Sequence, residues 1–176
     1  GAGDAQQGAG ASITFSDAVV LAGGAAKIDT GATVGDIKFQ STVNGAQTLE
    51  LIAGAGSVTL ADIAGTSVSS PDQLASLTVT SALAANLNNV FTTGVQAVTA
   101  DAITLTGTAY ATDATANSTI TLTGPTTLEQ DTKMTASSVT FTDTLNSDDN
   151  GATTPASLER TLDITGNAVF GGAVGG

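Results

Sequence analysis

The chain has 176 residues, a formal net charge of −12, four Lys or Arg, and no Cys or His. So few basic residues cannot build the clustered positive surface that nucleic acid or an anionic membrane requires, and without Cys and His there are no disulfides, thiolate metal sites or Ser-His-Asp and Cys-His machinery. Aromatics make up 3% against 41% hydrophobic, and there are 21 glycines and 31 threonines, so the interior must come from small and β-branched side chains in strands joined by glycine turns.

Residues 1–10, GAGDAQQGAG, read as a flexible glycine-rich connector. They follow no strand, open no helical pattern and have no basic neighbour, so a phosphate-binding loop is not expected. They also lack the basic region and apolar run of a signal peptide. No window of the chain approaches the ~18 apolar residues of a spanning segment, so membrane insertion is not expected.

Alternation of apolar residues with Thr, Ser or charge predicts strands over 12–15, 36–43, 48–52, 57–60, 76–80, 102–106, 118–123, 138–141, 161–165 and 168–170. Turn formers lie between them, at Gly23-Gly24, Asn44-Gly45, Gly54-Ala55-Gly56, Gly124-Pro125, Asn150-Gly151 and Gly171-Gly172. The alternation fixes the faces. Ile120 and Leu122 point in while Thr119, Thr121 and Thr123 point out, and Ile103 and Leu105 point in while Thr104 and Thr106 point out. The same reasoning places Ile13, Phe15, Leu21, Ile37, Phe39, Leu49, Leu51, Val58, Leu60, Leu77, Val79, Val139, Phe141, Leu162, Ile164 and Phe170 in the core.

Two long stretches nearly repeat. TLELIAGAGSVTLADIAG at 48–65 matches TLDITGNAVFGGAVGG at 161–176, and DIKFQSTVNGAQ at 36–47 matches SVTFTDTLNSDD at 138–149. Residues 1–176 therefore read as a single continuous segment holding about one and a half copies of a repeat of about 100–110 residues. Two all-β architectures fit: a β-solenoid, or tandem immunoglobulin-like β-sandwiches, whose modules have that length. Smaller echoes inside the repeat (SITF, DIKF, SVTL, SLTV, AITL, TITL, SVTF) and the lack of a Trp or Tyr marking a sandwich core favour the solenoid.

Few residues invite chemistry. Asp148-Asp149 and Glu129/Asp131 are the close carboxylate groups, and polysaccharide cleavage needs two carboxylates facing one sugar. Asn146, Asp148 and Asn150, followed by Gly151, partly match a calcium loop, in which alternating oxygen ligands precede a glycine turn. The bidentate Glu of such a loop is missing, with Ser157 in its place. No other cofactor is expected. The outward pairs Thr78/Thr80, Thr104/Thr106, Thr119/Thr121 and Thr140/Thr142 offer rows that could order water, as on an ice-binding face, or serve only as good solvent-facing strand residues.

The string DIKFQSTVNGAQTLELIAGAGSVTLADIAG, followed by LASLTVTSA at 74–82, resembles the repeats of bacterial exoproteins of the filamentous-haemagglutinin type, including β-strand-repeat surface proteins and autotransporter passengers. The resemblance covers essentially the whole chain. It implies a right-handed parallel β-helix, export to the bacterial cell surface, and a role in adhesion, biofilm or filament formation. The expectation is thus a structural, non-catalytic segment of an extracellular fibre. It would associate with itself head to tail or continue into further covalent repeats, and offer one face to a host or matrix ligand.

Overall fold

The computed structural model describes residues 5–6, 10–65, 72–113, 117–147 and 160–175. Among them there is no helix. The structure is all-β, with parallel strands in curled sheets.

After the short β1 (Ala5–Gln6), the chain makes repeated passes over three faces. The first pass holds β2 (Ile13–Phe15), β3 (Val19–Val20) and β4 (Ala26–Asp29), and the second β5 (Ile37–Phe39), β6 (Val43–Asn44) and β7 (Thr48–Ile52). The third holds β8 (Ser57–Leu60) and β9 (Ser76–Ser81), with an isolated bridge at Ala64 where a middle strand would stand. The fourth follows with β10 (Ala84–Leu87), β11 (Val90–Phe91) and β12 (Gln96–Thr99), and the fifth with β13 (Ile103–Leu105), β14 (Ala109–Ala111) and β15 (Thr119–Thr123). In the sixth, β16 (Thr126–Leu128) precedes β17 (Thr132–Phe141), which runs across two faces without a break. The seventh holds β18 (Leu145–Ser147) and β19 (Leu162–Phe170).

Each strand pairs with its counterpart one pass on. The first strands of the passes form a seven-stranded sheet in the order β2-β5-β8-β10-β13-β16-β18. The last strands form the path β1-β4-β7-β9-β12-β15-β17, with β19 pairing β17. Through β17 this sheet curls round the corner to β14 and β11 on the middle face. An immunoglobulin-like sandwich is built from antiparallel sheets. Every pairing between the named strands here is parallel, so the tandem-sandwich alternative does not hold.

The register stacks like on like. On the seven-stranded sheet one inward column runs Ile13, Ile37, Val58, Ala85, Ile103, and a second runs Phe15, Phe39, Leu60, Leu87, Leu105, Leu128. On the other sheet Ile28, Leu51, Val79, Val98, Leu122, Phe141 and Phe170 align. Most of these are almost wholly buried, and they merge into one continuous core. The single tyrosine belongs to it. Tyr110 donates its hydroxyl hydrogen to Leu87 O (2.7 Å) and accepts from the Gly107 N–H (3.0 Å).

Three expectations change. Phe170, expected in the core, is 43% exposed, and Phe15, Leu162 and Ile164 are only partly buried against it. All four lie in the first or last pass, where among the described strands a neighbour covers one side only. The stretch 36–43 is two strands, because the chain turns a corner after Phe39. Within the segment read as a connector, Ala5 and Gln6 pair with Ile28 and Asp29, since an open sheet edge satisfies the backbone of any extended segment beside it.

The long near-duplication is out of phase with the passes. Leu49 lies opposite Leu77, whereas its sequence counterpart Leu162 lies opposite Thr132 on another face. Ile37 belongs to the seven-stranded sheet and its counterpart Val139 to the other. The two stretches resemble each other because every strand obeys the same in-out alternation. They do not occupy equivalent places.

Candidate functional site

Asn146 sits mid-strand in β18, exposed and opposite Thr127. Asp148 and Asn150, like Asp149 and Gly151, fall outside the described residues. Among the described residues no group of three or more Asp, Glu, His or Cys comes together. Of the expected calcium ligands, the structure therefore places Asn146 alone.

Asp131, a member of the second carboxylate group, has a structural partner. Its carboxylate accepts the Thr161 backbone N–H at 2.9 Å, which ties the start of β19 to the pass before. That bond, reinforced by the Thr161 hydroxyl and the nearby Arg160 charge, holds the carboxyl below its usual range. A carboxylate kept ionised in this way is a poor proton donor.

The threonine pairs divide between faces. Thr104 and Thr106 belong to the seven-stranded sheet side, whereas Thr78, Thr121 and Thr140 share an outward column of the other sheet. Ala97 interrupts that column between Thr78 and Thr121. From β9 onward the face formed by the last strands of the passes is free of charge, Lys133 and Asp163 lying on the middle-face parts of β17 and β19. No Asp, Glu, Lys or Arg occurs in Ser76–Ser81, Gln96–Thr99, Thr119–Thr123 or the aligned 138–141 and 167–170, although the chain as a whole carries −12.

Beside this face, at the corner leading to the seven-stranded sheet, runs an open groove of about 460 Å³. Thr99, Thr123 and Thr142, all exposed, are contributed by successive passes. Asp101, Pro125 and Asp143 come from the turns that follow. Thr99 pairs with Thr123, and the Thr142 N–H donates to Leu122 O, so the hydroxyl row follows the strand register. Gly124 lies in this turn column at φ +133°, and a Cβ there would run into Ala100 O. A side chain at this point is thereby excluded and the groove stays open between the two aspartates. The sequence carries the signal as TAD, TGP and TDT at 99–101, 123–125 and 142–144. It is legible only once the length of each pass is known.

A second hollow of about 430 Å³ lies on the middle face, with Phe91, Asp113 and Lys133 among its lining residues. Lys133 Nζ is 3.9 Å from Asp163, an exposed and weak pair. Tyr110 is among the lining residues, but its phenol is buried in the core, burial drives its pKa far above its ordinary value, and its hydrogen is committed to Leu87 O. It is not equipped to transfer protons.

At the last pass, Val169, Phe170 and Val174 are 49%, 43% and 58% exposed. Phe170 stacks on Phe141, and the far side of β19 has no strand beside it among the described residues.

No family model, curated protein or solved structure matches this chain.

Proposed function

We propose that the chain is a non-catalytic structural segment of a secreted bacterial surface fibre or filament, wound as a right-handed parallel β-helix. The observation that carries the reading is the pass-on-pass register: each strand pairs in parallel with its counterpart in the next pass, and the last described strand keeps a free edge beside partly exposed core side chains. Such an arrangement grows by addition of like units. Parallel strand connections are right-handed in about 98% of cases, which supports the hand. The strong negative charge suits an exposed extracellular surface that must stay soluble. Self-association is head to tail, through the free edge of β19, or is replaced by further covalent repeats there.

A polysaccharide-cleaving reading is less well supported. A general acid needs a carboxyl kept protonated by burial, yet Asp101 and Asp143 are exposed and Asp131 is held ionised.

Sedimentation velocity over a concentration series, with negative-stain images of the same samples, tests the proposal. Rods that lengthen with concentration are expected. A species that stays monomeric throughout and degrades polysaccharide would overturn it.

A further inference from the structure

We infer that the corner groove binds a linear polysaccharide bearing free amino groups, laid along the stack of passes. This goes beyond the fibre reading and depends only on the groove. Direction comes first. The wall residues Thr99, Thr123 and Thr142 arise from consecutive passes, so any chain they hold in common lies across the strands. Threonine hydroxyls both donate and accept, and their β-branched side chains are already restricted in χ1. They suit a ligand covered in hydroxyl groups.

Charge decides the class. The groove carries Asp101 and Asp143 and none of the four basic residues. Uronic, sulfated and phosphate-bearing chains are repelled. The lining holds no aromatic ring, so a neutral sugar finds no stacking platform. Ammonium groups supply what is missing, since each places a donor and a positive charge against a carboxylate.

Spacing gives the third argument. Asp101 lies two residues before Ile103 and Asp143 two before Leu145, and these strands stand two pairings apart through Thr126. Two strand spacings put the backbone positions that carry the two aspartates about 9–10 Å apart. In an extended β-1,4-linked chain the sugars alternate in facing, so amino groups on every second sugar meet the same wall one disaccharide apart, on this same length scale. Asp143 Oδ1 also accepts the Thr144 N–H (2.7 Å), which fixes its orientation.

The test is titration calorimetry of the full chain with a β-1,4-glucosamine hexamer, its fully N-acetylated counterpart and an oligogalacturonate. The amino hexamer should bind, more weakly as salt rises. The double variant Asp101→Asn/Asp143→Asn should lose about tenfold in affinity, the size expected from two exposed ion pairs. The charge-matched control Asp17→Asn/Asp163→Asn should bind as the parent does. Thr123→Val should weaken binding while leaving the melting temperature unchanged. Equal loss in the control would reduce the effect to bulk charge and overturn the assignment. So would equal binding of the acetylated hexamer, no binding of the amino hexamer, or shortening of the hexamer during the titration. Rod formation bears on none of these outcomes, so the fibre reading stands or falls separately.

Discussion

The Phe170 ring lies 5.5 Å from that of Phe141, only 4° from parallel, and its other face is open. The two residues sit in the same inward column, yet Phe141 is fully buried and Phe170 is 43% exposed. Phe141→Ala should cost about 3–5 kcal/mol, the range for emptying an aromatic core site. Phe170→Ala should cost well under half as much in dilute solution. Urea unfolding of both variants decides the matter, and equal losses would mean that the last pass is covered in solution.

Gln96 occupies an inward position between Leu77 and Ile120. Its Nε2 donates to Val90 O (3.1 Å) and Ala111 O (2.8 Å), tying the fourth pass to the fifth across the core. Gln96→Leu keeps the volume but removes both bonds, while Ala111 O keeps the Thr92 N–H (3.0 Å), and should destabilise by about 0.5–1.5 kcal/mol per bond lost. A more stable Leu variant would show that water or a backbone shift replaces these bonds.

Gly124 and Gly24 separate two costs of a side chain. Both have positive φ, +133° and +137°. A Cβ at Gly24 meets nothing within 4 Å, whereas at Gly124 it meets Ala100 O. Gly24→Ala should cost about 1–2 kcal/mol from backbone strain alone. Gly124→Ala should cost clearly more, because the passes must also move apart. Thermal melts of the pair measure the difference.

Asp131 and Tyr110 set opposite limits in pH. The Asp131 carboxyl is held below its unfolded value by the Thr161 N–H, so the folded state binds fewer protons. Its stabilisation is present above the ordinary carboxylate range and is lost as pH falls through the lowered folded value. Asp131→Asn should flatten the acid limb of the stability curve. Burial raises the Tyr110 phenol, so its contribution is complete below about 10 and is lost as pH climbs beyond it. Tyr110→Phe should remove that alkaline loss, at the expense of the bond from the Gly107 N–H, while Leu87 O keeps its bonds from Thr106. Denaturation at stepped pH reads both limbs.

Strands with bulky inward residues were readable from the chain alone. Thr119–Thr123 has Ile120 and Leu122 buried and its threonines outward, as alternation requires. Ala84–Leu87, Gln96–Thr99 and Ala109–Ala111 were not readable, because in each a single bulky apolar inward residue (Leu87, Val98 or Tyr110) stands without a second, the other buried places holding Ala85, Gln96 and Ala111. Ala85 carries little strand preference of its own and is held by the passes on either side. The groove was illegible for a related reason. Asp101 and Asp143 are far apart in sequence, and only the number of residues consumed by each pass brings them into one column. That number varies. Val58 pairs with Ala85, and Ala85 with Ile103. A fixed-period search therefore loses the alignment.

The bridge at Ala64 has a mechanical meaning. Between the second and fourth passes, the middle face is joined by Ala64, which bridges Val43 on one side and Val90 on the other, and beside it by the Leu74–Thr92 bridge and the Gly45 N–H to Asp72 O bond. Strands lie across the stack and their hydrogen bonds run along it, so a pull from end to end loads all three faces at once. At the third pass the described part of the middle face shares the force through short bridges, whereas the flanking sheets offer β8 and the six-residue β9. Most of the load at this level therefore passes through the two flanking sheets, whose ladders continue through the third pass.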